Sequence, residues 1–205
     1  MSTDQMSTFF ALLALGALVL GPVMLVATFA LRRDDRRIGL QPLLVPLAFV
    51  VAATAMLGSL YYSERAHYTP CEFCWYQRIC MYPLAGILLI AAIRRDRRIG
   101  LYGLPLAIAG VCLSIYHYQL QLFPDQGSSC DTTAPCTFQW VDQFGFMSIP
   151  FMAGCGFVAI IGLLTASLVW DLDDAKNTTA ASTDGGGEDE GDESRSSDLP
   201  EGVLA

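Results

Sequence analysis

Hydrophobic positions in this chain gather into five long blocks instead of recurring at amphipathic spacing, and polar positions fall between the blocks. The blocks run Phe9–Leu31, Leu40–Tyr62, Cys74–Ile93, Ile99–Phe123 and Ile149–Trp170. Each is long enough to cross a hydrocarbon core of about 30 Å, which takes about 20 residues of helix. Lipid offers no partners to backbone N–H and C=O groups, so each block is predicted to be a helix that satisfies its own. The predicted fold class is an all-α membrane bundle. Pro42, Pro46, Pro83 and Pro105 lie inside blocks. They are expected to bend or break helices locally and so shape the bundle.

Charge orients the bundle. Ten of the twelve basic residues precede Asp171, and eight of those form the clusters Arg32-Arg33-Asp34-Asp35-Arg36-Arg37 and Arg94-Arg95-Asp96-Arg97-Arg98. Two spans separate the clusters, which puts them on one face, and the positive-inside rule makes that face cytoplasmic. The N-terminus is then expected outside, together with Ser63–Phe73 and Pro124–Ser148. A cleaved signal peptide is the rival reading of the first block. Met1–Thr8 has no basic residue and the apolar run is 23 residues long, so a retained helix is expected.

From Asp171 to Ala205, eleven acidic residues face Lys176 and Arg195, a local charge of −9; with −8 for the whole chain, the membrane portion is near +1. This stretch is rich in Gly, Ser, Thr and Asp and nearly free of apolar residues. It cannot offset its ordering entropy and is expected to be a disordered cytoplasmic tail. Asn177-Thr178-Thr179 fits a glycosylation pattern but falls inside the cell in this topology. No repeat or nucleotide-binding glycine motif is visible, and no nucleic-acid partner is expected.

Of seven cysteines, four fall in the expected outer segments. Cys71 and Cys74 stand as Cys-Glu-Phe-Cys at the mouth of the third block, and Cys130 and Cys136 lie in the loop before the fifth. The outer face is the compartment where disulfides persist. Two residues between the thiols let one helical turn bring the sulfurs into bonding range, and the helix N-terminus stabilises a thiolate. Pro70 suits a chain entering that helix from an extended segment. These features favour redox chemistry. A structural staple remains open, as does a zinc site with Cys71, Cys74, Cys130 and Cys136 as its four ligands; a resident metal is not expected. Cys80, Cys112 and Cys155 lie within blocks and read as small packing residues.

Arg78 falls one turn after Cys74 in an otherwise apolar stretch. The sixteen residues from Arg78 to Arg94 span about 24 Å of helix, so Arg78 sits inside the membrane near its outer edge. Simple snorkelling to the interface is one reading. The other is a cation that stabilises a thiolate and hydrogen-bonds an oxygen-bearing lipid-soluble ligand such as a quinone. His117 lies at a similar depth near the outer end of the fourth block, where the two are expected to line one pocket, unless His117 is a packing residue. His67, four residues before Cys71, is a further candidate for favouring the Cys71 thiolate.

The run Pro70-Cys71-Glu72-Phe73-Cys74-Trp75-Tyr76-Gln77-Arg78 matches Pro-Cys-x-x-Cys-x-Tyr-x-Arg. Tyr116-x-x-x-Leu120-Gln121-Leu122-x-Pro124 encloses His117, and Gln139-Trp140 precedes Pro150. In these motifs, and in its Cys130/Cys136 loop, the chain from about Leu40 to Trp170 resembles the DsbB/BdbC disulfide bond formation proteins, which are membrane thiol:quinone oxidoreductases. The resemblance implies a four-helix redox domain at 40–170, preceded by an extra helix and Arg-rich loop at 1–39 and followed by the tail at 171–205. It implies that Cys71 and Cys74 are the quinone-proximal pair. Cys74 is then the thiolate that meets a menaquinone or ubiquinone, with Arg78 beside it. It also implies that Cys130 forms a mixed disulfide with an extracytoplasmic thioredoxin-fold oxidase of the DsbA type, and that Cys136 exchanges with Cys71. Electrons would then pass from substrate protein to that oxidase, to Cys130–Cys136, to Cys71–Cys74 and to quinone.

Three features depart from the family pattern. Only five residues separate Cys130 from Cys136, closer to the BdbC type, so a membrane-lying helix in that loop is not expected. Gln77 stands where many members have Glu. The Phe9–Leu31 block has no counterpart in the four-span core. Two rivals remain: a vitamin K epoxide reductase-like enzyme, whose loop pair precedes its Cys-x-x-Cys, the reverse of the order here; and a non-catalytic scaffold, stapled or metal-binding, which leaves Arg78 and His117 without a joint role.

Overall fold

The computed structural model describes residues 3–32, 34, 36–126, 130 and 134–184. Five helices carry the chain: α1 (Thr3–Ala30), α2 (Arg36–Glu64), α3 (Glu72–Arg94), α4 (Gly100–Leu122) and α5 (Ile149–Asp184). All five are long and apolar enough to cross a membrane. The predicted blocks and the observed helices coincide because each block must hydrogen-bond its own backbone. Among the described residues no proline ends a helix. Pro22, Pro42, Pro46, Pro83 and Pro105 all lie in helix interiors, where packed neighbours compensate for the lost backbone bond.

Two units divide the chain, residues 1–171 and 172–205. In the first, α2, α3, α4 and α5 share a core that includes Leu84, Leu88, Phe157, Leu163 and Trp170. Helix α1 joins this core through a close crossing with α5. A Cβ built on Gly21 would lie 2.6 Å from the Val158 carbonyl oxygen, and one built on Gly162 would collide with the Gly21 backbone. Without water to drive apolar faces together, small residues at a crossing allow the backbone approach that dispersion needs. Polar bonds fix both ends of α1. The Trp170 indole N–H donates to the Thr28 carbonyl at 3.1 Å, and Tyr62 and Ser7 hydroxyls meet at 3.2 Å. The extra helix is thus an integral wall of the bundle.

The second unit begins within one residue of the expected start of the tail, but its first part is helical where disorder was expected. Helix α5 continues past Trp170 to Asp184 instead of giving way to coil at Asp171. Extending a helix that is already nucleated costs far less than starting one. Asp171 meets Arg98 at 3.4 Å, and the Thr178 and Thr179 hydroxyls donate to the carbonyls of Asp174 and Ala175. The expectation of disorder for residues 185–205 lies outside the described residues, as do Arg33 and Asp35 of the first arginine cluster.

Candidate active site

The site forms where the entry to α3 meets the outer ends of α4 and the loop before α5. Cys71 is the N-cap of α3 in extended backbone, and its sulfur accepts from the Cys74 N–H at 3.4 Å. Pro70 favours that extended entry. One helical turn then sets Cys71 Sγ 2.9 Å from Cys74 Sγ. That is hydrogen-bond contact between two unbonded sulfurs, so this pair is a dithiol. Cys130 and Cys136 form a disulfide. The two pairs pack together: Cys71, Leu120 and Cys136 are buried in one cluster, with Phe73, Cys74 and Cys130 against it. Within the loop pair, Cys136 is 0% exposed while Cys130 is partly open.

His117 reaches the same sulfur from α4, with Nε2 3.4 Å from Cys71 Sγ. It is 1% exposed, and its Nδ1 has no partner among the described residues. With the ring proton on Nε2, the tautomer that a lowered Cys71 thiol calls for, His117 donates to the sulfur. The Cys71 thiol is held well below its ordinary range by the hydrogen bond from Cys74 first, then by that from His117, with burial opposing both. His67 is exposed and adopts a positive φ of 55° in the turn after α2; the histidine on Cys71 is His117.

Arg78 points elsewhere. Its Nε donates to Ser59 Oγ at 2.8 Å, and Nη2 donates to the Ser59 carbonyl at 3.1 Å and to Ser63 Oγ. The guanidinium also lies over the Trp75 ring, 5.1 Å from its centroid. Among the described residues no carboxylate neutralises it, and these bonds leave Nη1 free to donate. Beside it opens a cavity of about 410 Å³ lined by residues of α1, α2, α3 and α5, including Cys74, Gln77, Arg78, Ser59 and Ser63. Cys71 and His117 are not among its lining residues. The pocket expected to hold both Arg78 and His117 is therefore divided: Arg78 and Cys74 face the cavity, and His117 stands against Cys71.

Several contributors carry little sequence signal. Ser59 and Ser63 stand at i and i+4 in an apolar block, a spacing that aligns them on one face of α2. Tyr68 stacks between Tyr62 and Trp140, with ring centroids 5.8 and 4.9 Å away, and ties the loop before α5 to the cavity rim. Gln77, where the family pattern often has Glu, is 6% exposed and donates to Ser114 Oγ at 3.1 Å.

Comparison with known proteins matches residues 41–170 to the family described as disulfide bond formation protein DsbB. The chain belongs to the DsbB family. It is 49% identical over 116 residues to disulfide bond formation protein C of Bacillus subtilis, covering 56% of this chain and 84% of that protein. It is 47% identical over 123 residues to the probable disulfide formation protein of Oceanobacillus iheyensis, covering 58% and 85%. A similar match, 47% over 116 residues, covers 84% of the probable disulfide formation protein C of Halalkalibacterium halodurans. No solved structure gives a significant match. The chain is a multi-pass membrane protein of disulfide bond formation, and the DsbB-family region begins after α1.

Proposed function

We propose that this protein is a membrane thiol:quinone oxidoreductase that reoxidises an extracytoplasmic DsbA-like dithiol oxidase. The observation that carries this reading is the division of the dithiol. Cys74 opens on an apolar cavity that holds an intramembrane cation, while Cys71 packs against the loop disulfide. The cavity fits a quinone: Arg78 and the neighbouring serines supply donors for ring oxygens, and the remaining lining is chiefly apolar.

Electron entry begins at Cys130, the accessible sulfur of the loop pair. A thiolate of the partner attacks it, Cys136 leaves, and the mixed disulfide is resolved by the partner's second thiol, which leaves Cys130 and Cys136 reduced. Exchange between Cys136 and an oxidised Cys71–Cys74 pair then restores the loop disulfide and delivers a dithiol at the head of α3. Cys71, as the thiolate that His117 steadies, accepts a hydrogen bond from the Cys74 thiol across 2.9 Å, and it takes that proton when Cys74 ionises. Arg78, one turn below Cys74, supplies the positive field that favours a Cys74 thiolate facing the cavity. A bound quinone would take the two electrons released as the Cys71–Cys74 disulfide closes, with one proton from the pair and the second from water.

The same geometry gives a vitamin K epoxide reductase-like role no support, since the loop pair follows Cys71-x-x-Cys74 in the chain. A purified preparation in lipid, supplied with a small dithiol and a quinone, should reduce the quinone catalytically. Cys74→Ser should abolish turnover, while Cys130→Ser should keep it with the small donor. Normal turnover by Cys74→Ser would overturn the assignment.

A further inference from the structure

Helix α1 lies outside the DsbB-family region, yet it forms one side of the cavity. The cavity is long and graded. On α2 its lining runs from Ser63 to Val50, thirteen residues or about 20 Å of helix. On α1 it runs from Phe10 to Leu20, about 15 Å. Polar groups cluster at the end near Cys74: Arg78, Ser59, Ser63 and Gln77. The far end is chiefly apolar, with Leu20, Val50, Val51 and Ala55 around the one hydroxyl of Thr54.

Helix α1 is pinned above and below this space. At the upper end Phe10 packs on Tyr61 and Tyr62, and Ser7 bonds Tyr62. At the lower end Gly21 crosses α5, and Thr28 accepts from Trp170. Between the pins the lining includes Ala14, Gly16 and Ala17, and a Cβ on Gly16 would meet nothing within 4 Å. The fixed ends hold α1 in place, and at Ala14, Gly16 and Ala17, set among Leu12, Leu13 and Leu20, the small side chains leave room that larger ones would fill.

We infer that α1 completes a binding slot for the isoprenoid tail of the quinone, with the ring at the Arg78 end and the tail running along Ala14, Gly16 and Ala17. This rests on the quinone reading above. The gradient from hydrogen-bond donors to bare apolar surface matches a molecule with a polar ring and a hydrocarbon tail. Helix α1 therefore gives this chain a means of selecting quinones by tail.

Gly16→Phe tests the slot without disturbing the fold, because its Cβ has open space and replacing a mid-helix Gly raises helix propensity. Two probes are needed: a naphthoquinone with a four-unit isoprenoid tail and the same ring without a tail. Binding is read from quenching of tryptophan fluorescence, since Trp140 lines the cavity, and turnover from dithiol-driven reduction. Gly16→Phe should raise the Kd and KM of the tailed quinone about tenfold or more and leave those of the tail-less ring within about twofold; tenfold corresponds to about 1.4 kcal/mol. Val23→Phe, on the exposed face of α1, should change neither. If the parent protein reduces both quinones and Gly16→Phe leaves the tailed one unaffected, the slot belongs to lipid acyl chains and the inference fails. Equal loss for both probes overturns it as well. A parent protein that reduces neither quinone overturns the quinone reading and the tail slot with it.

Discussion

Arg78 and His117 stand out in the sequence near the redox thiols, and the structure gives them different sulfurs. His117 donates to Cys71, whose thiol is lowered mainly by the Cys74 hydrogen bond and next by His117. A depressed value means that the Cys71 thiolate survives as pH falls and is lost only below that lowered range. Alkylation of reduced Cys71 should therefore stay fast into mildly acidic solution. In His117→Leu its decline should begin at higher pH by about 1–2 pH units, from about 1.5–3 kcal/mol for a hydrogen bond to a charged group at 1.36 kcal/mol per unit. An unchanged pH profile would remove His117 from that role. Arg78 acts on the cavity side. Arg78→Met keeps the stem, loses the charge, and should raise the quinone KM by roughly ten- to a hundredfold with insertion intact. Arg78→Lys should recover part of the loss, since an ammonium lacks the planar fork. Parent-like kinetics in Arg78→Met would leave Arg78 as a snorkelling side chain.

At the level of elements, the five helices were legible because lipid leaves an apolar block no other regular structure. The Cys-x-x-Cys at the head of α3 was legible because one helical turn fixes the sulfur spacing. What the sequence hid is packing between helices. Depth alone grouped Arg78 with His117, but the rotation of α3 and α4 about their axes, set by contacts such as Gln77 on Ser114, decides which side chains share a space. The helix at residues 171–184 was hidden for a related reason: composition marks where the polar tail begins but not how far a nucleated helix runs into it. The α1–α5 crossing was equally hidden, since Gly21 and Gly162 are distant in sequence. Gly162→Val should destabilise the bundle by about 1–3 kcal/mol through overpacking against α1, read as a lower Tm in detergent. A parent-like Tm would mean that α1 does not pack at this crossing.

For the whole molecule, both cysteine pairs meet at one end of the bundle and the two arginine-bearing connections lie at the other. If the arginine end is cytoplasmic, Arg65→Cys should be labelled from outside intact cells by an impermeant thiol reagent, and Lys176→Cys only after permeabilisation. The reverse pattern would invert the orientation and separate the loop disulfide from any extracytoplasmic partner. The claim that electrons traverse the molecule, entering at Cys130 and leaving at Cys74, is tested most directly by following quinone reduction with two donors in parallel. One donor is a reduced thioredoxin-fold oxidase of the DsbA type and the other a small dithiol. The parent protein should turn over with both, Cys130→Ser with the small dithiol alone, and Cys74→Ser with neither. Quinone reduction by Cys130→Ser at the parent rate with the protein donor would contradict the route, because electrons would then be reaching Cys71 and Cys74 without the loop pair.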